Sequence, residues 1–359
     1  MLKGRITNAR ELRLLGMKIP EEYPDDFRFR CEGWKVESGD LPGEADAVLS
    51  FSALDTVPKH IVIDFVLSKP EESKQMTHKL TAVGVGSAFV DSSLWQSMFL
   101  MEAPSGKKLL IDCGSDARHA LKELNLSYLD IDAVYISHLH SDHVGGLEWL
   151  ALCSYFDKRY AEAHGGLPKL FINTDLAREC WSRSLQGGLL TLQMEKAKLE
   201  TFFDVKKIAT GGSFRWEGLF FQTVQVVHIV SNFSFSNSYG LIVTKDRYTE
   251  GETLPSFNLQ EMEDGKGQEG QTHIFITTDT QFAPNQLIDY YKSSDIIIHD
   301  CETYPFKSGV HAHYDELKGL PDDIKKKMHL VHYNPNFSER DPQADGFVGF
   351  LEKGFTIEL

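Results

Sequence analysis

The sequence predicts a mixed α/β fold, and three observations carry that expectation. From Met76 onward, apolar runs of strand length alternate with stretches of helical spacing. Several of these runs end in His or Asp, which gathers reactive side chains along one sheet edge. The densest of these ends is Ser137-His138-Leu139-His140-Ser141-Asp142-His143-Val144-Gly145-Gly146, directly after the buried-strand run Ala133-Val134-Tyr135-Ile136. Composition fits: 359 residues, 42% hydrophobic and 25% charged, are ordinary for a globular chain. That length allows one large domain with an appendage, or two domains.

In chain order, residues 1–75 stand apart. They are rich in Glu, Asp and Pro and contain one convincing strand, His60 to Leu67. Pro70-Glu71-Glu72-Ser73-Lys74-Gln75 then reads as a linker. This N-terminal extension carries no chemistry motif and suits a small accessory domain or an oligomerisation arm. A second domain spans 76–359. Its first strand is Lys79 to Ser87, entering a glycine turn, followed by a hairpin of Phe99–Glu102 with Lys108–Gly114. Ala117–Leu124 is helical, Ala133–Ile136 is a strand, and Leu147–Tyr160 has helical spacing. Further strands are Lys169–Asn173, Phe220–His228, Tyr239–Thr244, His273–Thr277 and Ile296–His299, with Met328–His332 last. Residues 175–203 read as a helical stretch broken at Gln186-Gly187-Gly188-Leu189, either a surface insertion or a flap over a site. Residues 249–271 read as an acidic loop.

Charge and cysteine usage narrow the function. A net charge of −15, with a pI near 5.4, repels polyanions and disfavours a long nucleic-acid track. A small phosphorylated ligand held by metals stays compatible, because metals dominate the local charge. Five scattered cysteines with no C-x-x-C pair argue for reduced thiols and against a disulfide framework or a cysteine–zinc site. There is no 18-residue apolar run and no signal-peptide apolar region, so a soluble cytoplasmic protein without membrane contact is expected.

The candidate site starts from the histidine run. Alternate residues of an extended segment share a direction, so His138 and His140 can face one point, and Asp142 and His143 a second. Imidazoles and carboxylates are ligands for zinc or a similar borderline cation. Downstream, His228 ends the run Thr223–Val227, Asp279 ends Ile274–Thr278, and His332 follows Met328–Val331. Asp112 ends Leu109–Ile111, where its carboxylate can fix a ligating imidazole through the ring's other nitrogen.

This set resembles the metallo-β-lactamase superfamily, whose five motifs occur in order over residues 76–335. The resemblance implies an αββα sandwich with two divalent metal ions at one end, zinc foremost and manganese the alternative. His138, His140 and His228 would hold the first and Asp142, His143 and His332 the second, with Asp279 bridging. The implied nucleophile is a hydroxide between the metals. Asp279 favours phosphoester substrates. Ser238-Tyr239-Gly240-Leu241, following the third motif, resembles the tRNase Z branch. That branch carries an H-x-x-x-x-E pattern, which His311 and Glu316 match. An imidazole oriented by a carboxylate can protonate the leaving alkoxide. His313 stands where the branch usually has threonine, so His311 and His313 are both candidate acids.

Ser184-Leu185-Gln186-Gly187-Gly188-Leu189 together with His311-Ala312-His313-Tyr314 looks similar to the anti-Pycsar phosphodiesterases. That similarity implies cleavage of 3′,5′-cyclic mononucleotides to 5′-monophosphates by a homodimer, with a helical flap helping to close the partner's site. Phe233, Phe235, Tyr239 and Tyr304 are candidates to line a base pocket, each otherwise ordinary core. The span Ala151–Lys207 lacks the basic arm with which tRNase Z grips tRNA. RNA 3′-end cleavage is thus the alternative, with thioester or lactone hydrolysis, iron-based redox chemistry and non-catalytic nucleotide binding behind it. His299, Asp300 and Glu302 read as structural, as do His78, His119, His164, His273 and His329.

Overall fold

The computed structural model describes residues 77–232, 234–245 and 272–359, with the backbone of four N-terminal strands, Ile6–Asn8, Arg28–Ser38, Ala45–Ala53 and Ile61–Ile63. The chain divides into two units, Met1–Met76 and Thr77–Leu359. In the first, the four strands form one antiparallel sheet in chain order. The rest of the segment read as strand around Ile61, the linker 70–75, the loop 249–271 and Phe233 lie outside the described residues.

Two seven-stranded sheets build the second unit. Across the first, the order is Asp204–Ile208, Lys169–Asn173, Ala133–Ile136, Lys108–Ile111, Met98–Glu102, Lys79–Gly84 and Thr356–Glu358, the first four strands parallel. Across the second it is Ser213–Trp216, Leu219–Ser231, Ser234–Lys245, Ile274–Ile276, Ile296–Asp300, Met328–Val331 and Gly349–Phe350, the last four parallel.

Period-2 alternation explains the layers. Leu109, Ile111, Ala133 and Tyr135 join Phe221, Leu241, Val243, Ile274, Ile276 and Ile298 in one core between the sheets. Their strand neighbours Leu110, Val134 and Ile136 face the opposite way, into a core shared with helices Ala117–Glu123 and Leu147–Phe156. Ile242, Phe275 and Ile297 do the same toward helix Pro284–Ser293, through Leu287 and Tyr291. A sheet buried on both faces must read as a continuous apolar run, and these strands do. Within the central core, Phe214 stacks on Phe171 at 4.2 Å and on Phe221 at 4.6 Å, tying the two sheets together. Burying each such ring stabilises the fold by about 1.5–3 kcal/mol.

Some elements differ from the sequence expectation. The helical stretch Leu147–Tyr160 is two helices, Leu147–Phe156 and Lys158–His164, because Asp157 leaves the helix and caps the second one through Arg159 N. Gln186-Gly187-Gly188-Leu189 is not a break. It continues a helical run from Thr174 through a wider turn at Cys180–Leu185. Ala177, Cys180, Leu185 and Leu189 bury against the outer core, so this run is packed down along its length. Cys113, Cys153, Cys180 and Cys301 are unpaired thiols. No helix among the described residues is long and apolar enough to cross a membrane.

Candidate metal centre

In an α/β sheet, ligands collect beyond the carboxyl ends of parallel strands. Here Lys108–Ile111 ends at Asp112, Ala133–Ile136 at Ser137 and His138, Ile274–Ile276 just before Asp279, Ile296–Asp300 at Asp300 itself, and Met328–Val331 at His332. Three residues at these exits hold left-handed backbone: Asp112 at φ +61°, Thr278 at +54° and His332 at +60°. For residues with a side chain that conformation costs about 1–3 kcal/mol each, and it clusters at functional sites. After Ser137 the chain turns into the short helix Ser141–Val144, which carries Asp142 and His143. The loop at Gly114 lies so close beneath it that a Cβ there would come within 2.1 Å of the Asp142 carbonyl.

These exits bring together two ligand groups that share one carboxylate. In the first, His140 Nδ1 lies 3.1 Å from His138 Nε2 and 3.0 Å from His228 Nε2. Asp279 Oδ2 stands 3.6 and 3.7 Å from the same two Nε2 atoms. In the second, Asp279 Oδ1 is 3.1 Å from His143 Nε2 and 3.5 Å from His332 Nε2. Asp142 Oδ2 lies 3.3 and 3.2 Å from those nitrogens. Within each group the ligand atoms all fall inside 4.8 Å of one another. His143 Nε2 is buried without a hydrogen-bond partner. Imidazole nitrogens and carboxylate oxygens that converge this closely are what a cation resolves, so the residues of each group fit a divalent ion.

Electrostatics divide the groups. Burial, reinforced by His143, holds His138 well below its ordinary pKa. His228 is pushed down to about 4 by burial, against the opposing pull of Asp279. Both are therefore neutral imidazoles with lone pairs to offer. In the second group burial opposes protonation of His143 and His332, but the surrounding carboxylates, Asp279 first, outweigh it and hold both pKa values well up. Burial likewise works against ionisation of Asp279 and Asp142, and the adjacent histidines overcome it, keeping both carboxylates ionised.

A third group abuts these two. His311 Nδ1 lies 2.8 Å from Asp300 Oδ2 and 3.9 Å from Asp279 Oδ2. Its ring sits 4.7 Å from that of His332 and 5.1 Å from that of His228. Burial opposes its protonation, but Asp300 outweighs burial and lifts its pKa above the ordinary value. Among the described residues no hydrogen bond occupies His311 Nε2.

All seven residues read as ligands from the sequence meet here, and Asp112 accepts from His143 Nδ1 at 2.7 Å. Glu316 requires a correction: it does not orient His311. It caps its own helix, Tyr314–Leu317, accepting from His313 N at 3.3 Å, and pairs with Lys307. His313 is buried away from the ligand groups, with Nε2 on the Tyr304 carbonyl at 2.8 Å and Nδ1 accepting from Asp315 N. Of the proposed base-pocket residues, Tyr239 is core, Phe235 is 70% exposed, and Tyr304 stacks on Phe306. Asp300, read from the sequence as structural, is the carboxylate that holds His311. Its signal was present, since it ends a buried apolar strand as Asp279 nearly does.

The family model described as anti-Pycsar protein Apyc1 matches residues 78–357. The chain belongs to the Apyc1 family. The Apyc1 of Bacillus phage vB_BveM-Goe7 is 31% identical over 290 residues, covering 79% of this chain and 99% of that protein. The Apyc1 of Paenibacillus harenae is 32% identical over 259 residues, covering 72% and 90%. Among solved structures, the metallo-β-lactamase fold protein YhfI from Bacillus subtilis superposes with a TM-score of 0.52 at 17% identity, over 79% of this chain and 99% of that one. The fold is thus the metallo-β-lactamase fold, as the motifs led one to expect. Apyc1 membership, that fold and the His/Asp groups make the chain a metal-dependent hydrolase.

Proposed function

We propose that this chain hydrolyses 3′,5′-cyclic mononucleotides to 5′-monophosphates at a centre of two divalent cations, zinc foremost and manganese the alternative. The observation that carries the reading is the His311–Asp300 pair, 2.8 Å apart, set beside the one carboxylate whose oxygens reach both ligand groups. Membership of the Apyc1 family supports the choice of substrate. So does the net charge of −15, which disfavours long polyanions more than a single phosphate. When bound, the cations supply Lewis acidity to the phosphoryl oxygens and lower a water's pKa toward neutrality.

The protein residues supply the rest. His138, His140 and His228 enclose one side of the phosphate position, and Asp142, His143 and His332 the other. Asp279 fixes the separation between the two. As the water oxygen bonds to phosphorus and gives up a proton to bulk solvent, the P–O3′ bond breaks and its electron pair leaves on O3′. His311 Nε2 gives that oxygen a proton, while Asp300 holds the ring by Nδ1 and stabilises its charge. The small nucleotide and a second copy of the chain are the partners this reading expects.

Incubation of the metal-loaded protein with cyclic AMP, GMP, CMP and UMP tests it, with products separated by chromatography. Turnover is expected with at least one, lost in His138→Ala and reduced about 10²–10⁴-fold in kcat in His311→Ala at unchanged metal content. Silence on all four, with trimming of precursor tRNA, would replace this reading with RNA processing.

A further inference from the structure

We propose that Ser137 is a positioning residue: its hydroxyl, held by Asp112, fixes the tautomer of His138, so one carboxylate orders imidazoles in both ligand groups. The inference deepens the two-cation reading and rests on it.

Proton counting around Asp112 leads there. Asp112 Oδ1 accepts from Ser137 N at 2.8 Å, and Oδ2 accepts from Ser137 Oγ at 2.7 Å. The same Oδ2 lies 2.7 Å from His143 Nδ1. The carboxylate oxygen is the acceptor in both contacts, so the Ser137 hydroxyl and His143 Nδ1–H both donate to it. In the neutral ring this leaves the lone pair on His143 Nε2, a buried atom of the second ligand group with no hydrogen-bond partner.

A hydroxyl has one proton, and that of Ser137 is used on Asp112. Ser137 Oγ also stands 3.0 Å from His138 Nδ1, where it can only accept. A second hydroxyl is in the same position. Thr278 Oγ1 donates to the Thr277 carbonyl at 2.6 Å, so in its 2.7 Å contact with Ser238 the donor is Ser238 Oγ. Ser238 Oγ is then an acceptor for His138 Nδ1, more distantly, at 3.5 Å. Ser137 and Ser238 are fully buried and His138 is 1% exposed, so bulk water does not compete. With two oxygens that have no proton to give, His138 Nδ1 carries the hydrogen. Its Nε2 lone pair is left facing His140 and Asp279.

Local structure explains why these residues share the corner. Tyr239 N donates to the Ser137 carbonyl at 3.1 Å, which pins the end of one sheet to a strand of the other. Gly240 lets that strand close on its neighbour, since a Cβ there would meet the Ile276 carbonyl at 2.6 Å. The Ser238-Tyr239-Gly240 run thus supplies a hydroxyl, a backbone clasp and a close approach around His138.

The test is zinc affinity of the full-length protein, measured by competition with a chromophoric chelator. Wild type is expected to take up two zinc ions. Ser137→Ala should weaken one of them about 10–100-fold, as loss of an outer partner of a ligating histidine does, and leave the other within about threefold. Ser137→Thr, which keeps the hydroxyl, should restore two tight sites, and Asp112→Asn should weaken both. Equal affinities in Ser137→Ala and wild type, or equal weakening of both sites, would overturn the proposal. A wild type that binds no second zinc would instead overturn the two-cation reading beneath it. Nitrogen-15 NMR of the zinc-loaded wild type gives an answer even if Ser137→Ala does not fold. His138 should show a protonated Nδ1, and a protonated Nε2 would contradict the inference.

Discussion

Asp300 and Glu316 show how two carboxylates of similar sequence standing can differ in role. Asp300 is fully buried; its Oδ2 holds His311 and also accepts from Thr280 N at 2.8 Å, while its Oδ1 lies 3.5 Å from His332 Nδ1. Glu316 turns back onto the start of its own short helix. Asp300→Asn is therefore expected to cut kcat by at least tenfold at unchanged zinc content. Glu316→Ala is expected to leave kcat within about twofold and cost about 0.5–1.5 kcal/mol of stability, the usual net loss of one hydrogen bond. Steady-state kinetics and urea unfolding on the two variants separate these outcomes, and the reverse pattern would return the orienting role to Glu316. At this scale the ligands were legible because His and Asp at strand exits announce themselves. The orienting carboxylate was not, because the spacing of His311 and Glu316 says nothing about where a helix begins. The helix starts at Tyr314, and that start turns Glu316 toward His313 N.

Elements place these residues through strand exits and close backbone approaches. The hydrogen-bonded register Gly240↔Val224 and Leu241↔Ile276 fixes Ser238 opposite the end of the first sheet. Gly240→Ala is expected to destabilise the fold by about 1–3 kcal/mol, the cost of overpacking, because the obstructing atoms are backbone carbonyls that cannot rotate away. Gly188→Ala should be milder, since the atoms it would meet belong to the mobile end of the Glu148 side chain. Thermal unfolding of both variants checks the order, and a larger loss at Gly188 would contradict it. The inner strands were legible as apolar runs bounded by turns. Asp204–Ile208 and Thr356–Glu358 were not, because they are edge strands: Asp-Val-Lys-Lys-Ile shows water one side and presents no clear apolar period. Leu219–Ser231 and Ser234–Lys245 run longer than the sequence indicated, extending as a hairpin past His228, where pairing rather than burial sustains them.

On the scale of the whole molecule, the unit Thr77–Leu359 contains both seven-stranded sheets and every residue of the centre. The match to the Apyc1 family begins at residue 78. A fragment of residues 77–359 is expected to fold cooperatively and bind the same number of zinc ions as the full chain. A fragment that is insoluble or metal-free would assign the N-terminal sheet a part in stability. The centre packs buried histidines and carboxylates that a cation would bridge, so its removal should be felt globally. With zinc at 100 times its dissociation constant, binding stabilises the native state by about 2.7 kcal/mol per site, and excess chelator should lower the melting temperature accordingly. An unchanged melting temperature would mean that the groups hold no ion.

The cleavage chemistry is tested most directly by hydrolysis in ¹⁸O-labelled water. The zinc- or manganese-loaded protein would be given a 3′,5′-cyclic mononucleotide and the product followed by phosphorus-31 NMR and mass spectrometry. A 5′-monophosphate carrying one ¹⁸O on phosphorus is the predicted product, since the proposed mechanism has water attack phosphorus and His311 protonate O3′. A 3′-monophosphate would contradict the direction of cleavage, and an unchanged cyclic nucleotide would contradict the proposed activity itself.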